Sequence, residues 1–166
     1  FEKMLYDNAQ LVSLYADAYK LSKNPLYREV IEKTLDFISK ELKNDNGGFY
    51  AALDADSLNS ENHLEEGAFY SWKKEELQQF LHDDFELFSQ VFNINDFGFW
   101  EEEQTYVLIQ NKSLEEIAIE NNLEVSVLQE KKKTWEQLLY TQREKRSKPR
   151  LDDKCLTSWN ALMLKG

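Results

Sequence analysis

Apolar residues recur every three to four positions over residues 2–22: Leu5, Ala9, Val12, Tyr15 or Ala16, and Tyr19. That spacing paints one face of a helix. Asn24-Pro25 then supplies a cap followed by proline at the first helical position, where its missing N–H costs nothing. Ile31, Leu35, Ile38 and Leu42 carry a second helix until Gly47-Gly48 stops it. Two such helices joined by a short turn predict a helical hairpin. The middle of the chain changes character. Gly48-Phe49-Tyr50, Gly67-Ala68-Phe69-Tyr70 and Gly98-Phe99-Trp100 repeat a glycine-then-aromatics theme, which predicts short strands or extended loops. Helices resume over 73–82 and 84–92, and Tyr106 to Gln110 reads as a short strand.

Ser113 and Glu116 form a capping box that opens a helix to about Asn121. Ser126 to Gln129 reads as a second box, opening a long helix through Trp135, Leu138 and Leu139 that ends in a basic turn before Pro149. The last helix begins near Asp153 to Thr157 and carries Leu156, Trp159, Leu162 and Met163. No linker composition marks a boundary, so residues 1–166 are expected to form a single, mainly α segment. Its extended loops concentrate at 47–72 and 96–110.

Composition narrows the class. Hydrophobic content of 42% with 31% charged residues fits a soluble globular protein, and only 5 Gly and 2 Pro favour helices over a many-stranded sheet. A net charge of −11 argues against nucleic acid as a partner. The charge is uneven: residues 131–154 are locally basic, and Lys131-Lys132-Lys133 and Arg143 to Arg150 read as solvated helix surface and helix-end charge. Cys155, the single cysteine, excludes an internal disulfide and fits a reducing, cytoplasmic compartment. No apolar run is long enough to span a membrane. His63 and His82 are isolated, no Gly-rich phosphate loop is present, and no Ser–His or Cys–His arrangement stands out, so neither metal nor cofactor is expected. The chain opens and closes inside helical patterns, as a piece of a longer protein would.

Three polar clusters are candidates for chemistry. The first holds Glu2, Lys3, Tyr6, Asp7 and Asn8 around the start of a helix. The second holds Asp54 and Asp56, followed by Glu66 and Trp72. Aspartates at i and i+2 of an extended segment point the same way, and Glu66 reaches them if the two segments pair as a hairpin. Carboxylates held together raise one another's pKa and suit one of them to be a general acid. Asp54, Asp56 and Glu65 also fall at positions 1, 3 and 12 of a calcium-loop count, but Leu58 and Asn59 break that pattern. The third cluster is Asp152, Asp153, Lys154, Trp159 and Asn160. Its acids could equally satisfy the open N–H groups of a helix start. Together the clusters suggest an acidic pocket lined by aromatics, suited to a polyhydroxylated ligand such as a sugar or glycan. Asp54, Asp56, Glu66, Asp152 and Asp153 are the acid/base candidates. Tyr6, Trp72 and Trp159 would stack, and Asp7, Asn8, Lys154 and Asn160 would bind hydroxyls.

FEKMLYDNAQL, GGFYAALDADS, EEGAFYSW and RxxRxxPxxDDKCLTSWNALM, in that order, resemble the signature segments of proteins that join a thioredoxin-like domain to a helical barrel. Spermatogenesis-associated thioredoxin-like proteins are members. The resemblance implies that this chain is an internal segment of the barrel, with the thioredoxin-like domain upstream as its partner. It also implies a mainly α fold, a partial (α/α)6 toroid of helical hairpins with short β-strands or hairpins at one end. Such barrels are similar to six-hairpin glycosidases and N-acylglucosamine 2-epimerases, so a glycosidase-like or sugar epimerase-like activity is one expectation. A non-catalytic helical scaffold for the thioredoxin-like domain is the other. Ala161 stands where the family usually has glycine. The 166 residues are too few for a complete ring, which leaves apolar surface exposed.

Overall fold

The computed structural model describes residues 1–166, and helices dominate it. In chain order the elements are β1 (Lys3–Met4), α1 (Leu5–Ser22), α2 (Pro25–Glu41), β2 (Ala52–Leu53), β3 (Asp56–Leu58) and β4 (Leu64–Glu66). They continue with α3 (Lys74–Leu81), a 3-10 turn (His82–Asp84), α4 (Phe85–Val91), β5 (Phe99–Trp100) and β6 (Thr105–Tyr106). The last are α5 (Leu114–Glu120), α6 (Val125–Arg143), β7 (Leu151–Asp152) and α7 (Thr157–Lys165). No helix is long and apolar enough to cross a membrane.

The chain divides into two compact units, which no change of composition announces. The first comprises residues 1–57 and 149–166. Here α1 packs against both α2 and α7. The α1–α2 hairpin follows the predicted signals: the Asn24 side chain accepts the Leu26 N–H at 3.0 Å, and Pro25 opens α2. The α1 face read from the sequence is buried at Leu5, Ala9 and Val12, and Ile38 and Leu42 close a core with Leu53 and Met163, whereas Leu35 of the expected α2 stripe is 37% exposed. A turn of residues 43–49 follows α2. Gly47 adopts φ +85°, a region few side chains tolerate, and the Asn44 carboxamide oxygen accepts the N–H groups of Asn46 and Gly48. A three-stranded antiparallel sheet, β1–β2–β7, lies at the head of α1.

The second unit comprises residues 58–148. Its core gathers Leu77, Phe88, Val91, Ile117, Leu128 and Trp135 from α3, α4, α5 and α6. β5 and β6 pair antiparallel, with Phe99 opposite Tyr106. Gly98 ahead of β5 cannot be larger, since a Cβ there would strike the Asn93 carbonyl. The Gly67-Ala68-Phe69-Tyr70 segment departs from the extended conformation expected. Gly67 takes φ +69°, and its carbonyl accepts the N–H groups of Tyr70 and Ser71, making a turn. The expected strand at Tyr106 to Gln110 is confined to Thr105–Tyr106. Ser113 and Glu116 cap α5 reciprocally. The second box does not form: α6 starts at Val125, so Ser126 lies inside the helix and Glu124 precedes it without a side-chain cap.

Candidate functional site

The polar segments at residues 2–8, 49–56 and 150–160 converge on the β1–β2–β7 sheet. β2 is the central strand: Met4 pairs with Ala52 and Ala52 with Asp152, and Lys3 pairs with Leu53 and Leu53 with Leu151. The ladder extends past the strand ends. The Leu5 N–H donates to the Ala51 carbonyl, the Ala51 N–H to the Asp152 carbonyl and the Asp54 N–H to the Arg150 carbonyl. Leu53 joins the core. Pleating then turns Asp54, Arg150 and Asp152 to the opposite face, with Asp54 and Asp152 diagonal neighbours.

The flanking side chains hold this rim in shape. Asn160, on the first turn of α7, grips Phe49 at both ends: its Oδ1 accepts the Phe49 N–H at 2.8 Å and its Nδ2 donates to the Phe49 carbonyl at 3.0 Å. Asn8 Nδ2 donates to the Met4 carbonyl at 2.7 Å. Asn44 Nδ2 lies 3.1 Å from the Cys155 sulfur. Tyr6 and Trp159, both half-buried, meet edge to face with ring centroids 4.7 Å apart. Asp7, Asp54, Asp56, Asp153 and Lys154 are exposed.

The carboxylates are not equivalent. Asp152 lies in β7, away from the start of α7, so it caps no helix. Its oxygens take the Lys154 ammonium at 2.9 Å and the Lys154 N–H at 3.3 Å. Lys154 therefore holds the Asp152 carboxyl below the usual carboxylate range, with Arg150 adding to the effect. A group so held stays ionised near neutrality; it accepts hydrogen bonds and makes a poor proton donor. Asp54 and Asp56 do not stand side by side on a straight strand. The chain bends at Ala55, and the Asp54 carboxylate accepts the Asp56 N–H at 3.3 Å.

No family model matches the chain. An uncharacterised protein of Caenorhabditis elegans is 35% identical, over 100% of this chain and 25% of its own length. Spermatogenesis-associated protein 20 of mouse and of human are each 33% identical over 100% of this chain, matched across 23% and 24% of their lengths. These matches support kinship with spermatogenesis-associated protein 20. The chain spans about a quarter of the length of these curated relatives. The kinship covers both units, so it includes the two site candidates that fall in the second.

Glu66 lies exposed on β4, and β4 pairs with β3. Trp72 is 3% exposed in the second core, with the Arg146 guanidinium 4.0 Å from its ring centre. A ring so covered packs as core and presents no face for stacking. No group of three or more His, Cys, Asp or Glu side chains is arranged to hold a metal ion.

Two polar centres escaped the sequence reading. Arg146, read as solvated surface, donates from Nη1 to the carbonyls of Ala68, Phe69 and Ser71, and its Nη2 pairs with Glu76 at 3.3 Å. Burial lowers its pKa, against the pull of Glu76. Asp84 accepts the Trp135 Nε1–H at 2.8 Å and pairs with Lys131 at 2.6 Å, which holds its carboxyl below the usual range. The run of arginines three apart, Arg143-x-x-Arg146, was the one signal available, and it does not say which carbonyls lie opposite.

Proposed function

We propose that this chain is the rim-bearing segment of a larger six-hairpin, (α/α)6-type barrel, and that the rim binds a polyhydroxylated, carbohydrate-type ligand. One observation carries the reading: the β1–β2–β7 sheet gathers three segments remote in sequence into a single polar edge beside two aromatic rings. Exposed Asp54 and Asp153 offer acceptors to hydroxyl groups, Lys154 offers a donor, and Tyr6 and Trp159 offer flat apolar surface to a sugar ring. Asp152, kept ionised by Lys154, serves as an acceptor. If the barrel also hydrolyses or epimerises its ligand, the proton donor is another group. Asn8 and Asn160 act one step back, holding the backbone of the rim.

A second reading is a non-catalytic scaffold for a thioredoxin-like domain. It is favoured by the polar atoms that Asn8, Asn160 and Asp54 spend on the chain's own backbone.

The two part company in thermal-shift measurements on the longer protein against a panel of mono- and oligosaccharides. A ligand that binds only the native state stabilises it by about 2.7 kcal/mol at 100 times its Kd. A sugar-specific rise in Tm that disappears in Asp54→Asn and in Trp159→Ala supports the ligand reading. No rise with any sugar, in a protein that melts cooperatively, favours the scaffold.

A further inference from the structure

Helix α1 has two apolar faces. Leu5, Ala9 and Val12 are buried against the unit's own core. Leu11, Leu14, Ala18 and Leu21 follow one another at steps of 3, 4 and 3, which places them within a narrow stripe on the opposite side of the helix. Nothing in the unit covers that stripe: Leu11, Leu14 and Leu21 are 45%, 64% and 90% exposed. Alternating 3–4 spacing is the pattern by which one helix seats its side chains between those of another. The stripe runs from Leu11 to Leu21, about 15 Å, enough for three turns of a neighbour.

We infer that the outer face of α1 is a helix-docking seam, filled by an apolar-striped helix from another part of the same longer polypeptide. Three observations choose this occupant. Relatives matched over the whole of this chain are about four times its length, so the polypeptide has other helices to supply. A second copy of the chain would bring a net charge of −11 against an equal charge. A lipid surface asks for cations beside the apolar stripe, whereas Asp7 and Asp17 flank this one, and the Lys20 ammonium is already 3.0 Å from Asp17. The inference extends the proposed barrel by naming one of its missing contacts. It stands or falls without any ligand at the rim.

Thiol labelling tests it in the longer protein. Leu14→Cys and Leu21→Cys report on the stripe, and Asp17→Cys, on the same helix off the stripe, serves as the exposed reference. Native-state maleimide labelling at both stripe positions should be slower than at the reference by about tenfold or more, because it must wait for local opening. Dilution to a monomer, checked by sedimentation, should leave the protection unchanged. Labelling of both stripe positions as fast as Asp17→Cys overturns the inference. Protection that vanishes on dilution overturns it too, assigning the seam to a second copy. Sugar-induced stabilisation is a separate readout, so its loss or survival does not bear on this result.

Discussion

Arg146 shows how one side chain can organise a turn. Its guanidinium serves three carbonyls of residues 68–71, lies over Trp72 and pairs with Glu76. A lysine has neither the planar fork nor the stacking face needed to replace it. Arg146→Lys should therefore cost about 2–4 kcal/mol in chemical unfolding, approaching the loss in Arg146→Met. Asp84 sits at a second such junction, between Lys131 and Trp135. It is half-exposed, so Asp84→Asn should cost only about 1 kcal/mol at pH 7 after screening. Its folded-state pKa is depressed, so the stabilisation is present above the ordinary carboxylate pKa and is lost as pH falls through the lower folded value. Unfolding curves of wild type and Asp84→Asn should therefore begin to approach one another only below the ordinary carboxylate pKa of about 4, and meet once the pH is under the lower folded value. Neither junction was legible in the sequence. Spacing shows that Arg146 follows a helix, and only the fold shows that a turn of bare carbonyls faces it.

Elements with local causes were legible. The α1–α2 hairpin rests on apolar spacing and on the Asn24-Pro25 cap, both written within a few residues. The α5 box has the same character, and Ser113→Ala should cost about 1 kcal/mol in thermal or chemical unfolding. Ser126, read as a cap, is an interior residue of α6 and leaves the Glu124 position to end the loop. Ser126→Ala should be neutral or slightly stabilising in the same assay, since alanine is the better helix former. A Ser126→Ala loss as large as that of Ser113→Ala would contradict the observed helix start. The aromatic segments were harder. Gly67-Ala68-Phe69-Tyr70 has strand-forming residues, but the left-handed Gly67 and the Arg146 contacts bend it into a turn. For Asp152 the sequence left a helix cap and a pocket acid open, and pairing with β2 rules out the cap by drawing it into a sheet.

At the scale of the whole molecule, the sequence announced the polar clusters and left their meeting to the fold. Spacing alone could not bring residues 3–4, 52–53 and 151–152 side by side, because pairing across such distances leaves no periodic trace. The resemblance of the ordered segments gave the kinship that the matches support, and those matches span all of this chain and only a quarter of its relatives. The β1–β2–β7 rim, with Tyr6 and Trp159, is proposed to receive a carbohydrate-type ligand. The most direct measurement is a crystal structure of the longer protein soaked with the sugar that most raises its melting temperature. Ligand density is expected within about 4 Å of the Tyr6 and Trp159 rings and within hydrogen-bonding reach of Asp54 or Asp153. Density bound elsewhere, with this rim covered by protein, would contradict it.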